Sequence, residues 1–448
     1  MLHLLRTRKR GRKFLGILKV DLSKAYDRVR WDFLEKVLAS MNFPAVWVGW
    51  IMECVTTVRY AILVNGSPTK EFTPNAGLRQ GDPISPYLFI LCMEALSRRM
   101  EALQRESRIK GLPVSRNRER ISHLFCADDA VFSFEASPES CNELRNTLED
   151  FCTVSGEMVN YKKSHIQFSR NTPQKFVRYM RKPLRVRSQE RMGTYLGCPM
   201  EVDGRNTGTF NQIHDRVIQC ISSWKYSCLS PAARSILINS ILVALAAHIM
   251  SVYLLAQKVL KRINSTITKF YWGGNGQTKP IYWKNRDTLE LKKEEGGLGL
   301  RNLTSLNQAL LFRQVWRISK NPHTLASRVI GHKYGKDPLA FARDGKSIRN
   351  ASWAMRSMVN CARALKSGCG MKIGNGRATQ IQEEVWALKE LVTFKERAIE
   401  NQVEKPKFVS DIIVGQSWNV NKIWNLFDRE CNSPDSKPEL LLKLTCKH

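Results

Sequence analysis

The chain has 448 residues, of which 71 are Lys or Arg and 40 are Asp or Glu, so its formal net charge is +31. This excess of positive charge predicts a polyanionic partner, RNA or DNA, because each phosphate that a cationic side chain neutralises releases condensed counterions. Hydrophobic residues make up 43% of the chain. A basic balance alone would also suit a membrane surface or a histone-like tail. The hydrophobic fraction is enough for large packed cores, which argues against a disordered arm, and two or three domains are expected.

The twelve cysteines form no C-x-x-C pair, which argues against a zinc site. At the start of the chain the basic residues follow the apolar ones, which is the wrong order for a secretory signal. We therefore expect reduced thiols packed as small apolar residues, in a nuclear or cytoplasmic protein that is neither secreted nor embedded in a membrane.

The first predicted element is a buried strand that ends in an acidic residue. Residues 14–20 read FLGILKV, and Asp21 follows them directly. Two helices come next, because apolar residues recur at helical spacing over 33–41 and again over 47–55. Both helices are expected to bury one face.

A hairpin, a loop and a long helix follow. The Asn65-Gly66 pair predicts a tight turn between two short strands within 60–72. The glycines of the segment 77–82 indicate a loop, and Pro83 or Pro86 is expected to open a long helix behind it.

A second acidic segment comes after this helix. Residues 124–132 read LFCADDAVF, which places Asp128 and Asp129 at a turn between two apolar strands. Carboxylates at the ends of neighbouring buried strands converge, and such pairs hold two Mg²⁺ ions about 3.5–4 Å apart for in-line phosphoryl transfer.

We therefore interpret Asp21, Asp128 and Asp129 as candidate catalytic residues of a nucleotidyl-transfer site. Asp21 and Asp128 are the expected ligands of two Mg²⁺ ions, for which Mn²⁺ can substitute. Either aspartate alone is more simply a turn or helix-cap residue. The catalytic interpretation rests on both of them together with the loop between them.

The remaining pattern changes from mixed to helical. Ser137-Pro138 predicts a helix that ends at Gly156, and a strand over 158–168 is expected to return to the sheet. Strands separated by pairs of helices indicate an α+β fold. Beyond about residue 205 the pattern is helical, and it includes a long apolar helix over 231–257.

That apolar helix is long enough to cross a bilayer, for which about 20 residues suffice. Polar residues interrupt it, and nothing else in the chain resembles a membrane segment. A buried helix of a soluble domain is therefore predicted.

Three segments resemble consecutive palm motifs of non-LTR retrotransposon reverse transcriptases, in the same order and spacing. They are VDLSKAYDRV at 20–29, GLRQGDPISP at 77–86 and FCADD at 125–129. The resemblance is to the plant-like LINE type, and it continues through SGEMVNYKKS at 155–164, YLGCP at 195–199, YWGG at 271–274 and GGLGLR at 296–301. It covers about residues 1 to 376 and then fades.

The resemblance implies an RNA-directed DNA polymerase that extends a DNA primer on an RNA template with dNTPs. It implies an α+β palm, in which an antiparallel sheet is backed by helices, and a mainly α-helical thumb and C-terminal region. The expected domains are a palm truncated at the fingers at 1–204, a helical thumb-like region at 205–275, a helical LINE-type region at 276–376, and a weakly patterned tail at 377–448.

The resemblance also implies roles for residues around the acidic sites. Tyr26 matches the aromatic gate that packs under the incoming sugar and excludes a ribose 2′-OH, although a core aromatic would satisfy the same pattern. Gln80 and Gly81 match the loop that contacts the template base and the nucleotide, where glycine lets the backbone approach closely. Asp129 matches the second member of the aspartate doublet, which usually supports the site rather than serving as an obligatory metal ligand, and a plain turn residue is its alternative.

Two further matches lie downstream. Lys163 resembles the lysine near the pyrophosphate leaving group, where an ammonium can act as a general acid or stabilise charge; a solvated surface lysine is the alternative. Tyr195, Leu196 and Gly197 resemble the hairpin that grips the primer end; the alternative is a simple tight turn.

The sequence departs from the family pattern at several points. Cys126 stands where the family nearly always has Phe, and Ala76 stands where a basic residue is usual. No fingers motif, endonuclease domain, zinc knuckle or RNase H signature is recognisable, which suggests a fragment or degenerate copy of a longer polyprotein. Without the basic fingers residues that hold the triphosphate, the isolated chain is expected to bind primer–template but to extend it poorly.

Three hypotheses remain open at this point. The chain is an RNA-directed DNA polymerase fragment, an inactive relic that only binds RNA or an RNA–DNA duplex, or a group II intron maturase with the same palm. The segments YWGG and GGLG disfavour the maturase.

Overall fold

The computed structural model describes residues 1–114, 120–190, 192–200, 202, 207–224, 229–273, 280–345, 348, 350–365, 376–377, 380–381, 406–414 and 417–426. The chain divides into two compact units, each assembled from separate segments. The first comprises Met1–Ile249, Lys261–Ile281 and Arg328–Gly335, and the second comprises Met250–Leu260, Tyr282–Ser327 and Lys336–His448. The domain boundaries expected from the sequence stay predictions.

The first unit is built on a five-stranded sheet. The strands of this unit, in chain order, are β1 (Phe14–Asp21), β2 (Leu63–Val64), β3 (Ser67–Pro68), β4 (Leu112–Pro113), β5 (Arg120–Ile121), β6 (His123–Cys126), β7 (Asp129–Ala136), β8 (His165–Phe168), β9 (Arg187–Ser188), β10 (Thr194–Tyr195) and β11 (Cys198–Pro199). The sheet has the order β6-β7-β1-β8-β9, and β2–β3, β4–β5 and β10–β11 form separate pairs. All neighbours in the sheet are antiparallel except β8 and β9.

Helices pack against the sheet within the first unit and make up most of the later chain. They are α1 (Leu2–Thr7), α2 (Ala25–Arg28), α3 (Trp31–Ser40), α4 (Ala45–Thr56), α5 (Ser85–Arg105), α6 (Pro138–Ser155), α7 (Gln174–Leu184), α8 (Asn211–Ser223), α9 (Pro231–Leu237), α10 (Ala244–Met250), α11 (Gln257–Tyr271), α12 (Arg286–Glu290), α13 (Leu303–Lys320), α14 (Leu325–Tyr334), α15 (Pro338–Arg343), α16 (Trp353–Leu365) and α17 (Val420–Leu426). The mainly antiparallel sheet, its packed helices and the mainly helical later part of the chain confirm the α+β fold class predicted from the sequence.

The central strand β1 sorts its side chains between two cores. Successive residues of a strand point to opposite faces. Leu18 and Val20 therefore join the main core under α3, α5 and α6, whereas Leu15 and Ile17 join a smaller cluster on the other face. The same alternation places Lys19 and Asp21 on the face of the smaller cluster.

Local signals set several element ends as predicted. The Ser137 hydroxyl accepts a hydrogen bond from the Ser140 amide at the start of α6, and Gly156 ends this helix with φ +83°. Asn65 and Gly66 have φ +49° and +86° in the β2–β3 turn, as the Asn-Gly signal requires. Pro86 lies in the first turn of α5.

Two elements are shorter than predicted. The strand expected over 158–168 is confined to β8, because residues 160–164 form a turn in which the Ser164 amide donates to the Asn160 carbonyl at 2.9 Å. The helix expected over 231–257 ends at Met250, and its middle, Ile238–Leu242, is a π-helical segment.

This helical segment also differs from the buried helix that was predicted. Over 231–250 it is long and apolar enough to cross a membrane by length and composition, and 33% of its most apolar window is buried. Ile238 and Leu242 are buried, whereas 66% of Ile236 is exposed. One face of the helix is therefore packed and the other is open.

The second unit has its own helical packing. Val315 of α13 packs with Leu339 and Ala342 of α15 and with Ala362 of α16. Asn307 is fully buried: its amide donates to the carbonyls of Met250 and Tyr253, and its oxygen accepts from the Leu255 amide at 2.8 Å. A buried amide side chain thus satisfies backbone groups that would otherwise lie unpaired.

The cysteines that the structure describes are free thiols. Cys92, Cys141 and Cys361 are buried, but Cys54 and Cys126 are exposed, which corrects the expectation that the thiols are all packed. The tail predicted at 377–448 lies mostly outside the described residues.

Candidate active site

The two acidic segments meet where β1 pairs with β7. Asp21 is the direct cross-strand partner of Asp129, and such partners lie about 4.5–5.5 Å apart between Cα atoms. Asp128 immediately precedes Asp129 in the two-residue turn after Cys126, in which Ala127 has φ +51°. The register therefore brings the three candidate aspartates to the same end of β1 and β7.

The three carboxylates differ in their partners. The Lys19 ammonium lies 3.4 Å from a carboxylate oxygen of Asp129. Within the described part of the chain, the side-chain oxygens of Asp21 and Asp128 have neither a hydrogen bond nor an ion pair. Asp21 and Asp128 are thus the two that remain available to a cation.

Tyr26 lies close to this acidic edge. Its ring stacks on Phe89, with 4.9 Å between centroids and 19° between planes. Burial, and next the negative charge of Asp128, raise the pKa of the Tyr26 phenol. The side chain is packed against the core and also faces Asp128, so the gate and core-aromatic interpretations are both compatible with its position.

The loop at 77–82 is bound to the segment that follows Asp21. The Leu78 amide donates to the Tyr26 carbonyl at 2.6 Å, and the Gly77 amide donates to the Val29 carbonyl at 2.8 Å. The Gln80 amide nitrogen donates to the Asp27 carboxylate at 3.0 Å. Gln80 and the neighbouring Gly81 are exposed, and Asp27, which Gln80 contacts, directly follows Tyr26 in the chain.

The turn that carries Lys163 flanks Asp21 on the other side. The Asn160 amide donates to the Asp21 carbonyl at 2.8 Å, and the Asp21 amide donates to the Ser164 hydroxyl at 3.1 Å. Lys163 is exposed within this turn. Its place beside Asp21 agrees with a leaving-group role and also with a surface lysine.

The β10–β11 hairpin approaches the acidic turn. Its turn residues Leu196 and Gly197 have φ +49° and +73°. Burial, followed by the charges of Cys126 and Asp129, raises the pKa of the Tyr195 phenol to about 12. The segment predicted to contact the primer end therefore lies next to the candidate carboxylates.

Two charged residues of this region were missed from the sequence, Lys19 and Glu157. Glu157 is 5% exposed, and neither of its carboxylate oxygens has a hydrogen-bond partner among the described residues. Burial raises the pKa of Glu157 to about 8, with Arg28 opposing the rise and Asp128 adding to it. In the sequence, Lys19 is a charged residue within the apolar run 14–20, and Glu157 is a charged residue at the turn after Gly156. Such a charge in an apolar run or at a turn is the sequence feature that could have identified them.

The residue types at the acidic edge fit Mg²⁺. Among the described residues, no group of three or more His, Cys, Asp or Glu side chains is placed to hold a metal. Mg²⁺ is commonly bound by one or two carboxylates, with water and substrate phosphates supplying the other oxygens. The available pair of Asp21 and Asp128 is such a set.

Comparison with known proteins agrees with the motifs. Residues 4–200 match the family described as reverse transcriptase (RNA-dependent DNA polymerase). An uncharacterized mitochondrial protein of Arabidopsis thaliana is 32% identical over 148 residues, which are 33% of this chain and 95% of that protein. A retrovirus-related Pol polyprotein from a type-1 retrotransposable element R2 of Popillia japonica is 25% identical over 151 residues, which are 34% of this chain and 24% of the polyprotein.

Among solved structures, telomerase of Candida tropicalis in complex with a fragment of telomeric RNA is similar at 12% identity. The match covers 74% of this chain and 50% of that chain, with a TM-score of 0.34. The chain spans about a third or less of the length of its longer curated relatives.

Proposed function

Because the chain belongs to the reverse transcriptases of non-LTR retrotransposons, we propose that it is an RNA-directed DNA polymerase that extends a DNA primer on an RNA template by two-metal nucleotidyl transfer. The observation that carries this proposal is the register that sets Asp21 opposite the acidic turn. Asp21 and Asp128 would hold two Mg²⁺ ions between them, with Asp129 in support.

Metal bound there would activate the primer 3′ hydroxyl and neutralise charge that develops on the transferred phosphate. Tyr26 would pack beneath the sugar of the incoming dNTP and exclude a 2′-hydroxyl. Gln80 and Gly81 would contact the template base and the nucleotide. Their exposure, and the hydrogen bond of Gln80 to the residue that follows Tyr26, support this assignment.

Two more segments would position the reacting groups. Lys163 would lie near the leaving pyrophosphate, where its ammonium can donate a proton or stabilise negative charge. The residues Tyr195, Leu196 and Gly197 would hold the primer end. Both segments contact the strand ends that carry the acids, which is the placement that transfer between a primer and a nucleotide needs.

A second candidate function is binding without catalysis, to RNA or to an RNA–DNA duplex. The net charge of +31 favours it, because phosphate contacts alone can supply nonspecific affinity. This function would need the basic surface but not the two carboxylates.

The test compares three forms of the chain on poly(rA) primed with oligo(dT), with dTTP and Mg²⁺ or EDTA. They are the unchanged chain, Asp128→Asn, and Asp150→Asn as a control that removes an exposed carboxylate of α6. We expect Asp128→Asn to lower extension by about a hundredfold or more, since metal supplies several kcal/mol of stabilisation and each ~1.4 kcal/mol is tenfold in rate.

Binding of the same primer–template is expected to stay within about twofold in both variants, since neither removes a phosphate contact. Because the isolated chain is expected to extend primer–template poorly, extension is followed over long incubations. Binding with no Mg²⁺-dependent extension even then would favour the second candidate. Extension that survives Asp128→Asn would refute the site.

A further inference from the structure

Lys19 lies within strand β1, whose residues before the terminal Asp21 are otherwise apolar or glycine. Its side chain is only 16% exposed. Removing an ammonium from water is costly unless the protein supplies partners. The strand could bury an apolar residue at this position without that cost. The groups that contact the Lys19 ammonium therefore indicate the structural role of this buried charge.

The partners belong to two different hairpins. The Lys19 ammonium lies 3.4 Å from the carboxylate of Asp129, in the acidic hairpin β6–β7. The same ammonium donates to the Thr194 carbonyl at 3.2 Å and lies 5.6 Å from the centroid of the Tyr195 ring. Both of these residues are in the β10–β11 hairpin, so one side chain joins the two hairpins.

We infer that Lys19 is a positioning residue that fixes the β10–β11 hairpin against the acidic turn, and thereby sets where a primer end lies relative to Asp21 and Asp128. This inference rests on the proposed function. Pairing with Lys19 also occupies the carboxylate of Asp129, which leaves the other two aspartates as the pair available to metal.

The hairpin has a second anchor that does not involve Lys19. The His248 ring nitrogen lies 3.3 Å from the Gly197 carbonyl, and the Cys198 thiol donates to the His248 carbonyl at 3.7 Å. Loss of Lys19 should therefore loosen the hairpin at its Thr194 end without unfolding it. Because the hairpin stays folded, its faster opening at the Thr194 end can be measured.

The first experiment uses the protein alone. Amide hydrogen exchange is compared between the unchanged chain, Lys19→Met, Lys19→Arg, and Lys36→Met as a control whose side chain is 80% exposed. Exchange in the peptide that spans 193–200 should be about five to ten times faster in Lys19→Met, the effect of losing one hydrogen bond of ordinary net strength. Lys19→Arg should restore part of the protection, and Lys36→Met should have no effect.

The second experiment measures extension kinetics with the same variants. Lys19→Met should raise the KM for primer–template by about five to ten times, through the same lost hydrogen bond, and leave the KM for dNTP unchanged. Its effect should not add to that of Tyr195→Leu, because the two residues act through one contact. A side chain that only stabilised the fold would not separate the two KM values.

The outcomes separate this inference from the function it rests on. Unchanged exchange at 193–200, or a raised KM for dNTP with an unaltered KM for primer–template, would overturn the positioning role while Asp128→Asn still reports on the site. A chain that extends no primer, but whose hairpin exchanges faster in Lys19→Met, would refute the proposed function and retain the link between the hairpins.

Discussion

Four carboxylates lie close to the end of β1, and their surroundings give them different chemistry. Asp129 is paired with Lys19, whereas Asp21 and Asp128 have no ion pair within the described residues. Glu157 is buried without a hydrogen-bond partner for its oxygens. A carboxylate left in that position is held in its neutral form, because burial penalises the charge.

Glu157 should make the stability of the fold depend on pH. Burial raises its pKa from an ordinary 4.5 to about 8 in the folded chain, with Arg28 opposing and Asp128 assisting. Between these two pH values the unfolded chain gives up the proton and the folded chain keeps it. The free energy of unfolding should therefore fall as pH rises through this window, by at most about 1.4 kcal/mol per unit, and level off above it.

Replacing Glu157 by Gln removes this titration. Denaturant unfolding at several pH values should show a smaller loss of stability toward pH 8 in Glu157→Gln than in the unchanged chain. Glu139→Gln serves as the control, since Glu139 is an exposed residue at the start of α6 whose pKa is lowered by hydrogen bonds to its own backbone and to Ser137. Equal slopes in Glu157→Gln and the unchanged chain would show that Glu157 is already ionised when folded.

At this scale the sequence identifies residues whose role follows from local pattern. Asp21 and Asp128 stand at the ends of apolar runs, and this position alone predicts that they converge. Lys19 could not be found in the same way, because the Thr194 carbonyl that it contacts is 175 residues distant. Whether a carboxylate at this site forms an ion pair, as Asp129 does with Lys19, depends on contacts between residues that are distant in the sequence.

The loop at 77–82 is the element that joins the candidate nucleotide contacts to β1. Gly77 adopts φ +102°, and a Cβ atom there would lie 2.8 Å from the Asp27 carbonyl oxygen. The Trp31 indole donates to the Gly77 carbonyl at 2.9 Å. Gly81 has φ +90° but no heavy atom within 4 Å of a Cβ position.

The two glycines should therefore respond differently to alanine. Each substitution costs about 1–2 kcal/mol for the left-handed backbone. Gly77→Ala must in addition displace backbone, which we expect to cost about a further 1–3 kcal/mol. Chemical denaturation of both variants measures the difference, and equal losses of stability would contradict the close approach of the loop to Asp27.

Elements with strong periodicity or cap signals are predicted well, and elements fixed by tertiary contacts are not. The Ser137 cap and Gly156 set the ends of α6 as the sequence indicates. The sequence alone gives no physical reason for the glycines of the segment GGLGLR at 296–301. In the fold, the Gly297 backbone lies against the Leu291 carbonyl with no room for a Cβ atom, and the Gly299 amide donates to the same carbonyl at 2.8 Å.

For the whole molecule, the excess of 71 basic over 40 acidic residues predicts a polyanionic partner, and the structure shows where part of that charge is exposed. Helix α7 buries Met180 and Leu184 on one side. Its other side is exposed and basic, with 62% of Tyr179 exposed between the charges. The exposed basic residues of this helix are Lys175, Arg178, Arg181 and Lys182.

Affinity for an RNA–DNA duplex should accordingly fall steeply with salt and depend little on sequence, because the charge acts on phosphates rather than base edges. If the chain contacts six to ten phosphates, affinity should drop by about 10³ to 10⁵ between 50 and 200 mM salt. Replacing Arg178 and Arg181 by Gln should reduce the slope of log K against log salt by up to about 1.8, or ~0.9 for each lost phosphate contact.

The matched control replaces Arg98 and Arg145, which are paired with Glu94 and Glu149, and should change the slope less. Filter binding over a salt series measures each slope, and an affinity indifferent to ionic strength would exclude phosphate contacts as the basis of binding.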